Sequence, residues 1–474
     1  MSEPFDLERL LSRARDAAVE YLGSIGGRGV SARAGRDGAG REAALPAEGV
    51  GGAAAFEELL ARAEARAVAS TGPRYFHYVV GGATPEALAA DWFTSALDQV
   101  ASSAAGSPLA VDLEVLCARW LCELLELPAD ELTGVFVTGA TAANTVGLGA
   151  ARQRVLARAG HDAAERGLAS APGIHVLTSG FVHASVVKAC AVLGLGRASI
   201  ERFSADNRGT LDEAALARRL EELGDAPVIL VGTAGEVNSG RTDPLDRLAE
   251  LAEAHGAWLH VDAAFGAFAR VTPRASEQVR GLERADSVAA DAHKWLNVPY
   301  DCGFALLRDR DAAARTFRLS APYLPPAVDG EPRDLVPANL TPESSRRARA
   351  LPVFATLLAR GRAGIRAMVE RHLELAALLA DEVRAAEDLE LVDEPVLNVV
   401  PFRFAPEGVR RRDLDDLNER LGRAVLDDGR VALGLTRYRS VVCLRPAIAN
   451  WRTGEDDVRL VIEVVRELGT RLPS

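Results

Sequence analysis

An α/β fold with a mainly parallel sheet is predicted by three observations. Short, almost wholly apolar segments alternate with helix-forming stretches between residues 135 and 306. Those segments are apolar on every position rather than every second one, as in strands covered on both faces. After a loop rich in proline and charge, the pattern changes to that of a smaller α+β region.

The elements follow in order. Residues 5–22 read as a helix, with Phe5, Leu7, Leu10, Leu11, Ala14, Ala18 and Leu22 near helical spacing. The Gly-rich, Arg-dotted stretch 23–52 reads as loop, and 54–68 as a helix of mostly alanine and leucine. Two helices this thin cannot bury a core of their own, so they are expected to pack on something else, a partner subunit being one option. Helical stretches at 85–103 and 110–126 precede the alternation. Within it, 135–137, 174–178, 199–203, 228–232, 258–261, 287–290 and 303–306 read as strands. Residues 183–193, 211–223 and 244–255 read as helices, the last with Pro244 at its start and Gly256 just past its end. Residues 321–345 form a long loop of the kind that serves as a lid or stays without structure. Beyond it, 351–379, 411–427 and 456–468 read as helices, and 396–404 and 440–445 as strands. The expected organisation is a helical segment over 1–85, a large domain over 86–345 and a small domain over 346–474.

A chain of 474 residues fits two or three domains at roughly 150 residues each. A net charge of −12 argues against nucleic acid as a partner, because phosphate backbones are met with a surplus of basic charge. The start, MSEPFDLERL, lacks the basic and then apolar pattern of a signal peptide, and no apolar run is long enough to span a membrane. Cys117, Cys122, Cys190, Cys302 and Cys443 are scattered and form no CxxC pair, so neither a disulfide framework nor a metal site is expected. A cytoplasmic setting follows from that usage. Only Lys188 and Lys294 are lysines among 55 basic residues. Coding bias explains the arginines, but chemistry that needs an amine side chain has just these two candidates, since a guanidinium stays protonated.

Four segments carry candidate chemistry. Lys294, in Asp291-Ala292-His293-Lys294-Trp295, follows a strand, and α/β enzymes place ligands at that edge. A desolvated lysine there can form a Schiff base with an aldehyde, whereas Lys188 sits mid-helix and reads as solvated. Asp262, in His260-Val261-Asp262-Ala263-Ala264, ends another strand and is followed by small residues. Pyridoxal phosphate enzymes use such an acid against the pyridinium nitrogen, although a strand-end aspartate is as often a helix cap. Gly139-Ala140-Thr141 lies between a strand and a helix, where backbone N–H groups can hold phosphate. His183, at a helix start, can stack on an aromatic cofactor or act as acid or base, or simply serve packing.

Taken together and in this order, these segments resemble the group II pyridoxal-phosphate decarboxylases, the family of aromatic amino acid, glutamate, histidine and tyrosine decarboxylases. The resemblance runs from Gly72-Pro73-Arg74-Tyr75-Phe76 to Leu444-Arg445-Pro446-Ala447-Ile448-Ala449-Asn450 and is strongest at HVDAAFG and HKWLNVPYDCG. It implies the type I, aspartate aminotransferase-like fold, a homodimer with the N-terminal segment packed over the partner, and pyridoxal 5'-phosphate as cofactor. Lys294 looks like the Schiff-base lysine, Asp262 like the partner of the ring nitrogen, His183 like the stacked imidazole and Ala264 like the small residue on the opposite ring face. Ala140, Thr141 and His293 occupy positions that resemble the phosphate-binding set. The implied reaction is decarboxylation of an L-amino acid to the amine and CO2, a carboxy-lyase activity.

Two departures stand out. The loop tyrosine that protonates Cα in relatives falls near Val336 and Pro337 here, and no tyrosine occurs between Tyr323 and Tyr438. Either another group, Tyr323 or His183, supplies that proton, or the chemistry is that of an aldehyde synthase or an aminotransferase. Glu236 is also expected near the cofactor and His183, where it would hold the imidazole protonated, repel a substrate carboxylate, or turn away to bond backbone. Asp291 is left out of the phosphate set because two negative groups side by side repel. The aromatic cluster Tyr75, Phe76, His77 and Tyr78 hints at an aromatic or apolar substrate, or else forms a core strand.

Overall fold

A computed structural model describes residues 7–31, 44–319 and 336–472. The proposed lid tyrosine, Tyr323, lies outside the described residues, as does most of the loop expected over 321–345.

The chain opens with α1 (Leu7–Ser24) and α2 (Gly52–Arg66), neither of which buries a residue. They are joined by the exposed ion pairs Arg13–Glu57 and Arg28–Glu64. A two-residue strand, β1 (Tyr75–Phe76), then runs parallel to a C-terminal strand, with Tyr75 opposite Ala432 and Phe76 opposite Leu433. The core-strand reading of this cluster therefore holds for Phe76, which is buried.

Next come α3 (Pro85–Leu97) and α4 (Pro108–Leu124). The first stops six residues before its expected end because Asp98 turns left-handed, with φ of 47°. The second starts at a Ser107 cap whose hydroxyl accepts from the Ala110 N–H.

The large sheet, seven strands among the described residues, is built from β2 (Thr133–Val137), β3 (His175–Thr178), β4 (Ile200–Arg202), β5 (Val228–Thr233), β6 (Trp258–Asp262), β7 (Ser287–Asp291) and β8 (Gly303–Leu307). Their order is β2-β8-β7-β6-β5-β3-β4. β8 runs antiparallel to both neighbours, and the other pairings are parallel. The helices between them are α5 (Ala140–Arg158), α6 (Ala163–Arg166), α7 (Ala184–Val192), α8 (Glu213–Leu223) and α9 (Leu245–His255), with α10 (Arg310–Phe317) after β8. α9 ends as its sequence requires, at Gly256 with φ of 61°. Two hydrophobic clusters, one on each side of the sheet, explain why β5, β6 and β7 are buried at every position.

The second sheet, β1-β11-β12-β10-β9, holds β9 (Leu389–Leu391), β10 (Phe402–Phe404), β11 (Ala432–Tyr438) and β12 (Val441–Arg445). It is covered by α11 (Ala350–Ala385), α12 (Leu414–Asp428) and α13 (Glu455–Arg471). α11 is two helices meeting at Gly361, whose φ is 57°. The strand expected over 396–404 shrinks to three residues, with Val399 only bridging to Ala447. β11 escaped the sequence reading because its outer half faces solvent and blurs the apolar pattern.

Because β2, β3, β5, β6 and β7 are mutually parallel, the residues at and shortly after their last positions all arrive at one edge of the sheet. Gly139, His183, Thr233, Asp262 and Asp291 are those residues.

Candidate active site

Lys294 stands three residues past the end of β7, in a segment held by backbone bonds on both sides. His293 N–H donates to the Cys302 carbonyl and Val298 N–H to that of Ala292. Asn297, at φ of 59°, closes the turn. Its side chain accepts from Gly82 N–H at 2.7 Å and Trp451 N–H at 3.0 Å, and donates to the Trp295 and Ala449 carbonyls. Gly81 lies directly against this segment: a Cβ there would sit 2.0 Å from the Lys294 carbonyl oxygen.

Lys294 Nζ is 2.9 Å from Asp291 Oδ2. The other oxygen, Asp291 Oδ1, accepts from Ala140 N–H at 2.6 Å, at the start of α5. Asp291 thus lies at the helix start that the resemblance assigns to phosphate. His293 is buried against the same point, 3.1 Å from where a Gly139 Cβ would stand. Its Nδ1 accepts from Cys302 N–H, which leaves the proton on Nε2, 3.5 Å from Asp291 Oδ1. Burial pushes the His293 pKa down. Thr141 is exposed in the first turn of α5.

Asp262 ends β6, between Thr233 and Ala289 on the neighbouring strands. Its Oδ1 accepts from Ala264 N–H at 3.2 Å, and its Oδ2 from Asn144 Nδ2 at 3.0 Å and Ser185 Oγ at 3.2 Å. The amide of Asn144 must face Asp262 with its NH2, since its oxygen there would meet a carboxylate. Asn144 Oδ1 then accepts from His260 Nε2 at 2.8 Å, so His260 is neutral with Nδ1 free to accept from Ser287 Oγ, also at 2.8 Å. Trp258 Nε1 closes the chain by donating to Ser287. Complete burial pushes the His260 pKa down to about 3, in keeping with that neutral form.

His183 caps α7: its Nδ1 accepts from Ser185 N–H at 3.2 Å and lies 2.7 Å from Ser185 Oγ. Lys294, Asp262, His183, Ala264 and Glu236 line one cavity of about 230 Å³, with Tyr78, Phe181, Phe265 and Tyr300 among the other walls. Glu236 lines the cavity while its carboxylate is bonded within its own turn. Its Oε1 accepts from Asn238 Nδ2, and its Oε2 from the N–H and the hydroxyl of Ser239. The second lysine, Lys188, is exposed on α7.

Asn144, Ser185, His260, Gly81, Tyr300 and Arg445 were given no role by the sequence reading, although several of them stand inside its motifs. Asn144 carried a usable signal, one helical turn past Ala140 on the helix that starts at the candidate phosphate site. Arg445 did not, because it reaches the back of the wall from the small domain, where it donates to the Tyr78 carbonyl at 2.6 Å.

A lysine, an acid and a helix N-terminus converging at the carboxyl edge of a parallel sheet define an enzyme that holds a phosphorylated aldehyde cofactor. Residues 61–405 match the model of the pyridoxal-dependent decarboxylase conserved domain. The chain is 33% identical over 436 residues to L-2,4-diaminobutyrate decarboxylase of Rhizobium meliloti (strain 1021), covering 91% of this chain and 84% of that protein. It is 28% identical over 400 residues to aromatic-L-amino-acid decarboxylase of Bacillus atrophaeus, covering 84% and 81%. The crystal structure of Oryza sativa TDC with PLP and tryptamine superposes with a TM-score of 0.90 at 24% identity, over 99% of both chains. The chain belongs to the group II pyridoxal-phosphate decarboxylase family. It is a pyridoxal-phosphate-dependent amino acid decarboxylase of the type I fold. The donor set fits the cofactor: an amine, a carboxylate fixed by neutral donors, and the helix-start N–H groups that follow Ala140, whose own N–H is held by Asp291.

Proposed function

We propose that this chain releases the amine and CO2 from an L-amino acid whose side chain is neutral or cationic. The observation that carries the reading is the single cavity shared by Lys294, Asp262, His183, Ala264 and Glu236. In this reading Lys294 is the Schiff-base lysine, and Asp262, fixed by Asn144, Ser185 and Ala264, keeps a proton on the ring nitrogen. With the cofactor bound, His183 and Ala264 would flank its ring, while Ala140, Thr141 and His293 would hold the phosphate at the helix start and through an imidazole N–H. The bound cofactor supplies the electron sink for breaking the bond between Cα and the carboxylate. Val80, Phe181 and Phe265, buried in the wall, keep water from that side of the reacting atoms, which strengthens each charge interaction there. Glu236 makes this wall negative and disfavours acidic side chains.

An aldehyde product is motivated by the tyrosine-free positions Val336 and Pro337. Tyr78 and Tyr300 on the cavity wall offer phenols in their place and favour the amine. A panel of amino acids, scored at once for amine, CO2, aldehyde and peroxide, tests both points. Fastest turnover of aspartate or glutamate would overturn the side-chain assignment, and peroxide equal to CO2 would overturn the amine. Lys294→Ala should lose the borohydride-trapped cofactor adduct that wild type and Lys188→Arg both form.

We also infer a homodimer. Leu7, Leu11, Val19, Leu59 and Phe93 are all more than half exposed in one chain, and they need a cover that the N-terminal helices do not give one another. In this organisation the helices before residue 67 pack on the partner, and Tyr75–Phe76 joins this chain's own small domain. Sedimentation of the purified protein at monomer mass would refute the dimer. No helix among the described residues is long and apolar enough to cross a membrane. The five cysteines are free and buried, which supports a reducing, cytoplasmic setting.

A further inference from the structure

We propose that His372 is a positioning residue for Lys294, tying the lysine segment to α11 and to the loop after β12 through the indole of Trp295. His372 stands on α11, past the kink at Gly361, and is buried. Its Nδ1 lies 2.8 Å from Trp295 Nε1 and its Nε2 3.0 Å from the Asn450 carbonyl oxygen. An indole nitrogen only donates and a carbonyl only accepts, so the two contacts fix the tautomer: Nδ1 is bare and Nε2 carries the proton. Burial pushes the His372 pKa down to about 4, in keeping with that neutral ring. Both nitrogens are occupied and the ring does not line the cavity, so it moves no proton there. What it supplies is an acceptor and a donor on one rigid ring, spanning two segments that no backbone bond joins at this point.

His372 closes a circuit around the lysine. Trp295 follows Lys294 in the chain and is fully buried, with its ring centroid 6.2 Å from that of Phe265 on the cavity wall. The Trp295 carbonyl accepts from Asn297 Nδ2, and Asn297 Oδ1 accepts from Gly82 N–H. At the far end, Asn450 Nδ2 donates to the Thr71 and Gly72 carbonyls at 3.0 Å each, and Asn450 Oδ1 is 2.9 Å from where a Gly82 Cβ would stand. Asn297 thus fixes the backbone of the lysine segment, and His372 fixes the side chain next to the lysine. Without the acceptor at Nδ1, the Trp295 N–H is buried with no partner, which costs more than the lost bond itself. An indole that turns to find another acceptor carries the Lys294 backbone and the Phe265 wall with it.

This inference rests on the lysine assignment proposed above, but its first readout needs neither cofactor nor turnover. Amide hydrogen exchange of the full chain is followed by mass spectrometry on peptides spanning 292–298, where the His293, Asn297 and Val298 N–H groups are bonded. The second readout is the rate at which added pyridoxal 5'-phosphate forms a borohydride-trapped adduct on Lys294. His372→Leu and Trp295→Phe should each speed the exchange and slow the trapping by on the order of tenfold. In the Trp295→Phe background His372→Leu should add less than about threefold, because the bond it removes is already gone. Leu375→Ala, on the same helix but in the core under the second sheet, costs stability yet should leave both readouts at their wild-type values. Wild-type exchange and trapping in folded His372→Leu overturn the proposal. So do effects that multiply in the double variant, and so does an equal change in Leu375→Ala, which would mark general loosening. If His372→Leu does not fold, Trp295→Phe reads the same bond, and wild-type behaviour in it refutes the positioning role. Failure of the lysine assignment would show separately, as an adduct that survives Lys294→Ala while the exchange result stands.

Discussion

Replacing Gly81 by alanine tests whether the lysine segment is positioned by the backbone laid against it. The added Cβ would stand 2.0 Å from the Lys294 carbonyl oxygen and 3.0 Å from that of His293. Real Cβ atoms do not come within 3.0 Å of such an atom, so one of the two segments must retreat by about 1 Å. The carbonyl cannot rotate away cheaply, because it accepts from Asn297 N–H at 3.2 Å and Asn297 is itself bonded to four backbone groups. Overpacking of this kind costs about 1–3 kcal/mol of stability. A displacement near 1 Å at a reacting group costs roughly 100-fold in rate. The expected result is a folded protein with weaker cofactor retention and about 100-fold lower CO2 release on the best substrate of the panel. Gly173→Ala, with nothing within 4 Å of its new Cβ, is the matched control. Wild-type cofactor affinity and turnover in Gly81→Ala would refute the reasoning.

Glu114→Ala should destabilise by about 3–5 kcal/mol in urea unfolding, because it leaves the Arg346 guanidinium, 0% exposed, without the carboxylate 2.7 Å away. A cost under about 1 kcal/mol would mean that water reaches the pair. Burial pushes Asp243 up to about 7, so the folded chain keeps a proton that the unfolded chain releases near 3.8. The stability this group contributes is complete below about pH 4 and is lost as pH rises through about 7. Asp243→Asn should therefore gain on wild type between pH 5 and pH 8, and a constant difference across that range would count against it. Burial also raises Cys122, Cys190 and Cys443 to about 12, 11 and 12, and pushes Cys117 and Cys302 up as well. A thiol reagent should label none of the five quickly in the native protein and all of them in denaturant; one fast native thiol would contradict the packing.

Local pattern was enough for the large sheet and for the individual chemical groups. The strands β5, β6 and β7 are buried on both faces, so their apolar runs could be read without knowing their neighbours. Lys294 was legible because lysine is so scarce in this chain, and Asp262 because it interrupts an apolar strand at its end. The strand β11, the kink at Gly361 and the short β10 were not legible, since each depends on which face a distant segment covers. Glu236 shows the same limit at the site. Its place in the chain put it on the cavity wall, but the Asn238 and Ser239 donors that claim its oxygens are products of the turn it sits in. The sequence by itself determined which residues could do the chemistry and that they would meet at one edge of a parallel sheet. Only the tertiary structure decided how they are wired. The bonds joining Asp262 to Asn144 and Ser185, and Asn144 to His260, link three separate elements, and pairings across elements leave no periodic trace in the chain.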